Sequence, residues 1–453
     1  MKQPSSQLDQ AYQLLTSEDD GRVCRDIPES ACEHQPRNFI LHILSLAATK
    51  SSDGLIDPKL ILSWLLAQLG ASALIIGQLV PIREAGALLP QLFTSEWIRK
   101  RPQRKWVWAA GSFVQGLCVA GMVICCFTLT GDRAGLAILI LLAILAVARS
   151  FCSVSYKDVL GKTVSKSTRG TATGTAGTIA SASVILFASL LTFNIIPLSI
   201  FTLSITLSIA SGLWLIAAAL FTQLNESSGA TDGGENATRG LRDRLSLIVA
   251  DKQLFRFITV RALLVSTALA PPFMLLTGTA TKTNANQQSL TALTQSGTEG
   301  FLSQLGLLIL ASSLAGFSSS YIWGRLADKS SRNALIVSAL IAGLTLASTA
   351  IIHITQPVWL TTVWLLPILL FLLMIAYQGV RLARSTHLVD MAHHTQRANY
   401  TAVSNTVIGI VLLLGGLFGV LAEWFGVTLV IGLFAAMSFI AAALAVKLKN
   451  VQS

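Results

Sequence analysis

A compact charged motif lies between two apolar stretches in the second half of the chain. It comprises Gly324, Arg325, Asp328, Lys329 and Arg332. Glycine lets two helices approach each other closely at a sharp turn, and an aspartate here can be held by a helix N-terminus or by an arginine. We predict that Asp328 belongs to a gate that exchanges partners when the protein changes conformation. Its candidate partners are Arg325, Arg384 and Arg397.

A second set of polar residues lies inside an apolar stretch. Arg149 is followed by Cys152, Ser153 and Tyr156 at i+3, i+4 and i+7, so one face of the predicted helix is polar. Ionisable side chains at lipid depth are costly and usually functional. We predict that Arg149 contacts a solute or takes part in gating. The alternative is that Arg149 extends to the inner surface or forms a structural ion pair.

Further polar candidates are scattered along other apolar stretches. Gln68, Tyr156, Tyr377 and Gln378 are candidates for a solute path, although such residues often serve helix packing alone. Proton-coupled carriers use buried carboxylates, and the predicted core helices contain none. Either Glu84 is therefore the carboxylate that couples transport to protons, or transport is uniport or exchange. The alternative is that Glu84 and its neighbour Arg83 are solvated at the outer mouth.

The composition determines which elements can position these residues. Hydrophobic residues make up 53% of the 453 and charged residues only 12%, and the mean hydropathy is +0.64. Long apolar runs without alternation exclude a barrel of strands. Since about 20 apolar residues cross a bilayer as a helix, we predict an all-α membrane protein with twelve transmembrane helices in two pseudo-symmetric six-helix bundles. The predicted spans are 60–79, 82–97, 106–130, 134–156, 172–194, 198–221, 257–277, 301–323, 333–353, 358–380, 399–421 and 425–446.

The basic residues set the predicted orientation. With the N-terminus inside, the outer connections hold only Arg133 and Lys282, with Arg83 at the edge of another. The net charge of +11 is then explained by anionic lipid headgroups rather than by nucleic acid. The predicted domains are a cytoplasmic tail at 1–58 with an interfacial helix around 39–48, bundles at 59–222 and 257–446, a cytoplasmic linker at 223–256, and a cytoplasmic tail at 447–453.

The two halves show a weak internal repeat. An offset of 228 residues places Arg104 on Arg332 and Arg169 on Arg397. Repeats related by an axis along the membrane normal are one known plan of secondary transporters, with the solute site near mid-membrane at their interface.

Together, the twelve spans, the central linker and the motif at Gly324 resemble the major facilitator superfamily over residues 60–446. The resemblance implies alternating access, with helices 1, 4, 7 and 10 around the solute path. It also implies a related motif between helices 2 and 3, where this chain has Glu96 through Arg104. Glu96 is then the candidate acid of the first-half motif. The Gly-Pro-rich signature of drug–proton antiporters is missing from helix 5.

No motif for ATP hydrolysis, catalysis, a cofactor or a metal stands out. We therefore predict a transporter, not an enzyme, that moves a small anionic or neutral solute. The alternatives are a proton-coupled drug or metabolite exporter and a non-transporting membrane scaffold. The predicted partners are the solute and membrane lipid, without nucleic acid. The chain is expected to act as a monomer in a membrane, the inner one if it is bacterial.

Overall fold

The computed structural model describes Tyr12 and residues 34–91, 94, 97–98, 100–228, 251–285, 296–362, 364–391 and 397–451. Helices make up nearly all of these residues, and no strand occurs among them. The first half contains α1 Gln35–Leu55, α2 Ile61–Gln68, α3 Ala73–Leu88, α4 Lys105–Thr128, α5 Gly131–Thr163, α6 Lys166–Thr192 and α7 Ile200–Thr222. The second half contains α8 Lys252–Leu263, α9 Ser266–Ala285, α10 Ser296–Thr355, a 3-10 turn at Pro357–Thr361, α11 Leu365–Met391, α12 Arg397–Gly415, α13 Leu417–Phe425 and α14 Val427–Ala445.

These helices make twelve crossings. The pairs α1 with α2, α8 with α9, and α12 with α13 each form one interrupted crossing, whereas α10 bends at Ser330 (φ −164°, ψ 102°) and forms two. In the described part of the chain, nine helical stretches are long and apolar enough to span a membrane, with α8–α9 and α12–α13 each counted as one. The predicted fold class, an all-α membrane protein of twelve helices, is confirmed.

The break between α1 and α2 follows from the sequence Asp57-Pro58-Lys59. Proline disfavours helical backbone in the residue before it, so α1 ends before Asp57. The Asp57 carbonyl then accepts the N–H groups of Ile61 at 2.9 Å and Leu62 at 3.1 Å. Its side-chain Oδ1 accepts the N–H of Lys59 at 3.1 Å. Asp57 therefore satisfies the free donors at the start of α2.

The first crossing begins earlier than predicted. The interfacial position predicted for residues 39–48 is wrong, because α1 packs against both α6 and α7. His42 is fully buried and its Nε2 lies 2.8 Å from Thr163 Oγ1, while Ser52 Oγ donates to the Ala210 carbonyl at 2.9 Å. Polar residues shorten the apolar run of α1, but these side chains find partners inside the protein and need not face lipid. The predicted spans 60–79 and 82–97 shift accordingly, and residues 69–72 form the turn between the first two crossings.

The repeat at an offset of 228 residues matches the helix positions. Shifting α4 and α5 by 228 brings them onto the last part of α10 and onto α11, and shifting α6 and α7 brings them onto α12–α13 and α14. We call the face of the protein that contains Thr222 and Asp251 the linker side, and the other face the far side.

Helices from the two halves meet closely towards the far side. On α3 and α13, a Cβ added at Gly77 would lie 2.8 Å from the Cα of Gly419. Between α6 and α10, a Cβ at Gly306 would lie 2.7 Å from the backbone N of Thr192. Gln78 Nε2 also donates to the Gly416 carbonyl at 2.8 Å. Small residues let these backbones approach and pack tightly.

Candidate functional site

Asp53 of α1 joins two arginines from different crossings. Its Oδ1 accepts a hydrogen bond from Arg83 Nη2 of α3 at 2.6 Å, and its Oδ2 accepts one from Arg149 Nη1 of α5. The side chains of Asp53 and Arg83 are 19% and 11% exposed, whereas that of Arg149 is 35% exposed. Charged side chains that are largely shielded from water require partners. Here one carboxylate pairs with two guanidinium groups.

Lys59 links the two halves of the protein. Its ammonium Nζ lies 3.5 Å from the centre of the Tyr377 ring on α11, and Lys59 as a whole is only 7% exposed. A cation over an aromatic face is attracted by the ring quadrupole, more strongly when both are shielded from water. The contact brings the first and tenth crossings together.

Glu84 lies between these groups. Its carboxylate is within electrostatic reach of Lys59 and Arg83 from the first half and of Arg381 and Arg384 from α11. Glu84 is half-buried.

Basic side chains outnumber acidic ones around Glu84. We use the term central cluster for the charged residues of the described chain that lie within electrostatic reach of one another here. Its acids are Asp53, Asp57 and Glu84, and its bases are Lys50, Lys59, Arg83, Arg149, Arg381 and Arg384. An anion would therefore gain more from entering the cluster than a cation would.

The structure distributes the predicted path residues over different places. Arg149 and Tyr377 belong to the central cluster or contact it. Gln378, next to Tyr377, faces α10, where its Nε2 would lie 3.2 Å from a Cβ added at Gly316. Tyr156 packs inside the first bundle against His42 and Phe221, with ring centres 5.6 and 6.4 Å away. Gln68 is the last residue of α2, at the far side.

The solvated mouth considered for Arg83 and Glu84 is wrong. Both residues lie about three turns into α3 and not at its beginning, because the turn between the first two crossings is at 69–72. The cost of burying the Arg83 charge is compensated by its ion pair with Asp53. Sequence reasoning missed Asp53, Asp57 and Lys59 because α1 was not recognised as part of the first crossing. Their signal was three charges within seven residues, flanked on both sides by apolar sequence.

The motif at Gly324 differs from the predicted turn. Gly324 lies within the helical run of α10, and no atom lies within 4 Å of the place where its Cβ would be. The bend falls at Ser330 instead. Arg325 and Lys329 are exposed, and Arg332 Nη1 donates to the Leu448 carbonyl at 3.5 Å. The side chains of Asp328 and Arg397, and all of Glu96, lie outside the described residues, so the predicted gate stays a prediction.

Arg104, the first-half counterpart of Arg332, pairs with an acid of α5, whereas Glu96, the acid predicted for this motif, lies outside the described residues. Arg104 Nη1 lies 2.5 Å from Asp158 Oδ1 on α5. Lys162 shares this carboxylate, with its Nζ 2.7 Å from Asp158 Oδ2.

Glu226 completes this linker-side network. Its side chain is fully buried. Its Oε1 and Oε2 accept the backbone N–H groups of Arg104 at 3.1 Å and Lys105 at 2.8 Å, which cap the N-terminus of α4. Lys162 Nζ is 3.1 Å from Oε1. Residues 225 and 226, predicted to be flexible linker, are thus fixed to the first bundle, and the polar, glycine-rich composition around them concealed this.

Comparison with known proteins gives one family and one fold. Residues 299–452 match the model of the Major Facilitator Superfamily. A point mutant of the nucleoside transporter NupG shares the fold with a TM-score of 0.69 and 16% sequence identity, over 91% of this chain and 100% of that one. A D-xylose–proton symporter gives a TM-score of 0.64 and 11% identity, over 91% of this chain and 98% of its own. A POT family transporter, solved with a thioalcohol-conjugated peptide, also gives 0.64 and 11%, over 93% and 98%. No curated protein matches the chain.

These findings confirm the resemblance seen in the sequence. Residues 299–452, about a third of the chain, match the family model, and the fold of the nucleoside transporter NupG extends over 91% of the chain. The protein is a multi-pass membrane protein that is similar to this superfamily in its matched segment and in its fold.

Proposed function

We propose that the protein moves a small anionic solute across the membrane by alternating access, with the central cluster as its binding region. The excess of positive charge between the two halves supports this more than any other observation. The members of the cluster come from the first, second, fourth and tenth crossings, and Lys59 and Tyr377 meet across the boundary between the halves. Rocking of one half against the other would rearrange these contacts.

A non-transporting scaffold has less support. Buried charges are costly, and a scaffold gains nothing from placing them where two bundles meet. A proton-coupled carrier, either a drug or a metabolite exporter, keeps one supporting observation, which is Glu84. Since Glu84 lies near bases of both halves, its protonation would weaken their cohesion and favour separation on the linker side. Glu84 therefore remains the candidate for coupling.

Thermal stabilisation of the purified protein tests the anion preference. Succinate and inorganic phosphate should raise its melting temperature, whereas glucose and choline should not, because a ligand that binds only the folded state stabilises it. Arg149→Ala should weaken the apparent affinity for succinate about tenfold or more. Arg149→Lys should lie in between, since it keeps the charge but loses the planar fork.

Arg133→Ala is the matched control, because Arg133 is exposed on the same helix α5. Stabilisation by choline or glucose alone would contradict the proposal. Wild-type affinity in Arg149→Ala would remove Arg149 from the solute site.

We further propose that the linker side faces the cytoplasm, which the distribution of basic residues supports. In a cysteine-free background, an impermeant maleimide should label Ser289→Cys in intact cells but not Ser227→Cys. Ser227 is exposed on the linker side, so permeabilised cells should label it and provide the control. Labelling of Ser227→Cys in intact cells would reverse the orientation.

A further inference from the structure

Arg261 is a buried arginine of the eighth helix for which the structure describes only neutral partners. The residue is 7% exposed. Its Nη1 donates to Ser404 Oγ at 2.6 Å and its Nη2 to Asn405 Oδ1 at 3.0 Å, both on α12. Among the described side chains, no carboxylate lies within ion-pair distance of Arg261.

The two neutral partners fix the plane of the guanidinium group without neutralising it. A guanidinium has five N–H donors, and Ser404 and Asn405 accept two of them. The Nε atom is buried and has no hydrogen-bond partner among the described residues. An unsatisfied buried donor on a charged group is expensive, so this geometry is that of a site prepared for an acceptor.

A second arginine comes from α11, which contacts α8 where Phe257 stacks on His387 with ring centres 5.2 Å apart, about one turn after Arg384. Arg384 of α11 is within electrostatic reach of Arg261 and of Glu84. It is half-buried, and Arg381, one turn away on the same helix, is exposed. Two like charges repel each other unless an anion joins them. Arg384 is thus a base of the central cluster that also lies within electrostatic reach of the buried Arg261.

We propose that Arg261 and Arg384 form a subsite for the carboxylate or phosphate group of the solute, where α8, α11 and α12 of the second half meet. The proposal rests on the proposed function and adds to it which arginines bind the acidic group. Planar guanidinium groups bind carboxylate and phosphate bidentately. Arg83 and Arg149, by contrast, already share Asp53, so the second half supplies the uncompensated donors.

Titration of the purified full-length protein with succinate and with inorganic phosphate tests the subsite. Arg261→Gln and Arg384→Gln should each weaken binding of the better probe about tenfold to a hundredfold. Arg261→Lys should recover only part of the loss, because an ammonium cannot form the bidentate contact. Arg256→Gln, exposed on the same helix α8, should bind as the wild type does.

The outcomes separate the two proposals. If the wild type binds neither anion, the proposed anionic solute fails and the subsite fails with it. If the wild type binds and both glutamine variants bind equally well, the subsite is overturned while the proposed function stands. Should Arg261→Gln fail to fold, Arg384→Gln and Ser404→Ala remain decisive. The first should weaken binding strongly, and the second more mildly, because it only releases the orientation of Arg261.

Discussion

Asp53→Asn is expected to destabilise the purified protein strongly and to lower its melting temperature. Asp53 is the carboxylate that pairs with both Arg83 and Arg149. The asparagine amide can still accept a hydrogen bond but leaves two positive charges without their counterion. Removing one partner of a buried ion pair costs about 3–5 kcal/mol, and we expect the lower end because Arg149 is one-third exposed.

A double variant tests whether the loss of stability in Asp53→Asn comes from the unpaired arginine charges. In Asp53→Asn combined with Arg149→Ala, one of the uncompensated charges is gone, so part of the lost stability should return. The measurement is the melting temperature of the four proteins of this cycle, which isolates the coupling between the two residues. Glu423→Gln is the control, since Glu423 is exposed. A melting temperature for Asp53→Asn equal to that of the control would show that the cluster does not stabilise the fold.

Gly77→Val is expected to shift the protein towards a conformer that is open on the far side. A Cβ at Gly77 would lie 2.8 Å from the Cα of Gly419 and 3.1 Å from Phe273 Cζ. Backbone atoms at such distances cannot be displaced by a side-chain rotation, so α3 and α13 must move apart. A conformational equilibrium shifts by the difference in interaction energy between its states, and this clash exists only where the two helices touch.

The shift can be followed with a cysteine at Ala422, which is 5% exposed on α13. In a cysteine-free background, the rate at which an impermeant maleimide labels Ala422→Cys should rise at least severalfold when Gly77→Val is added. Gly432→Val is the matched control, because no atom lies within 4 Å of a Cβ at Gly432. An unchanged labelling rate with Gly77→Val would mean that the contact between α3 and α13 does not separate the two conformers.

The fold could be predicted from the length of the apolar stretches and from the distribution of basic residues. A helix needs a minimum apolar length to cross the bilayer, and basic residues concentrate on one side of it. Nine of the twelve spans fall close to their observed helices for this reason, whereas the predicted span 358–380 begins seven residues before α11. The first crossing could not be predicted, because Lys50, Asp53 and Asp57 interrupt its apolar run. In a hydropathy profile, such an interruption marks the end of a span. In the folded protein, each of these charged side chains has a partner, so the crossing continues.

The candidate site shows the same limit. Arg149 and Glu84 were recognisable as rare charges at lipid depth, but the bond from Arg149 to Asp53 joins residues that are distant in sequence. Whether two charged side chains on different helices pair depends on which helix faces pack together. The periodicity of one helix does not show which neighbour its polar face contacts. Glu226 was concealed for another reason. Its neighbours have the composition of a flexible linker, and only the N-terminus of α4 gives it a role.

The anchoring of Glu226 has a consequence for biosynthesis. All partners in the network of Glu226, and the paired contact between Asn38 and Asn225 at 2.9 and 3.2 Å, come from residues 38–226. The first bundle can therefore close on itself while the ribosome is still translating the second. Multidomain chains generally fold in this order, from the N-terminus. Lys59, by contrast, must wait for Tyr377, so the central cluster is completed only after the tenth crossing has been translated.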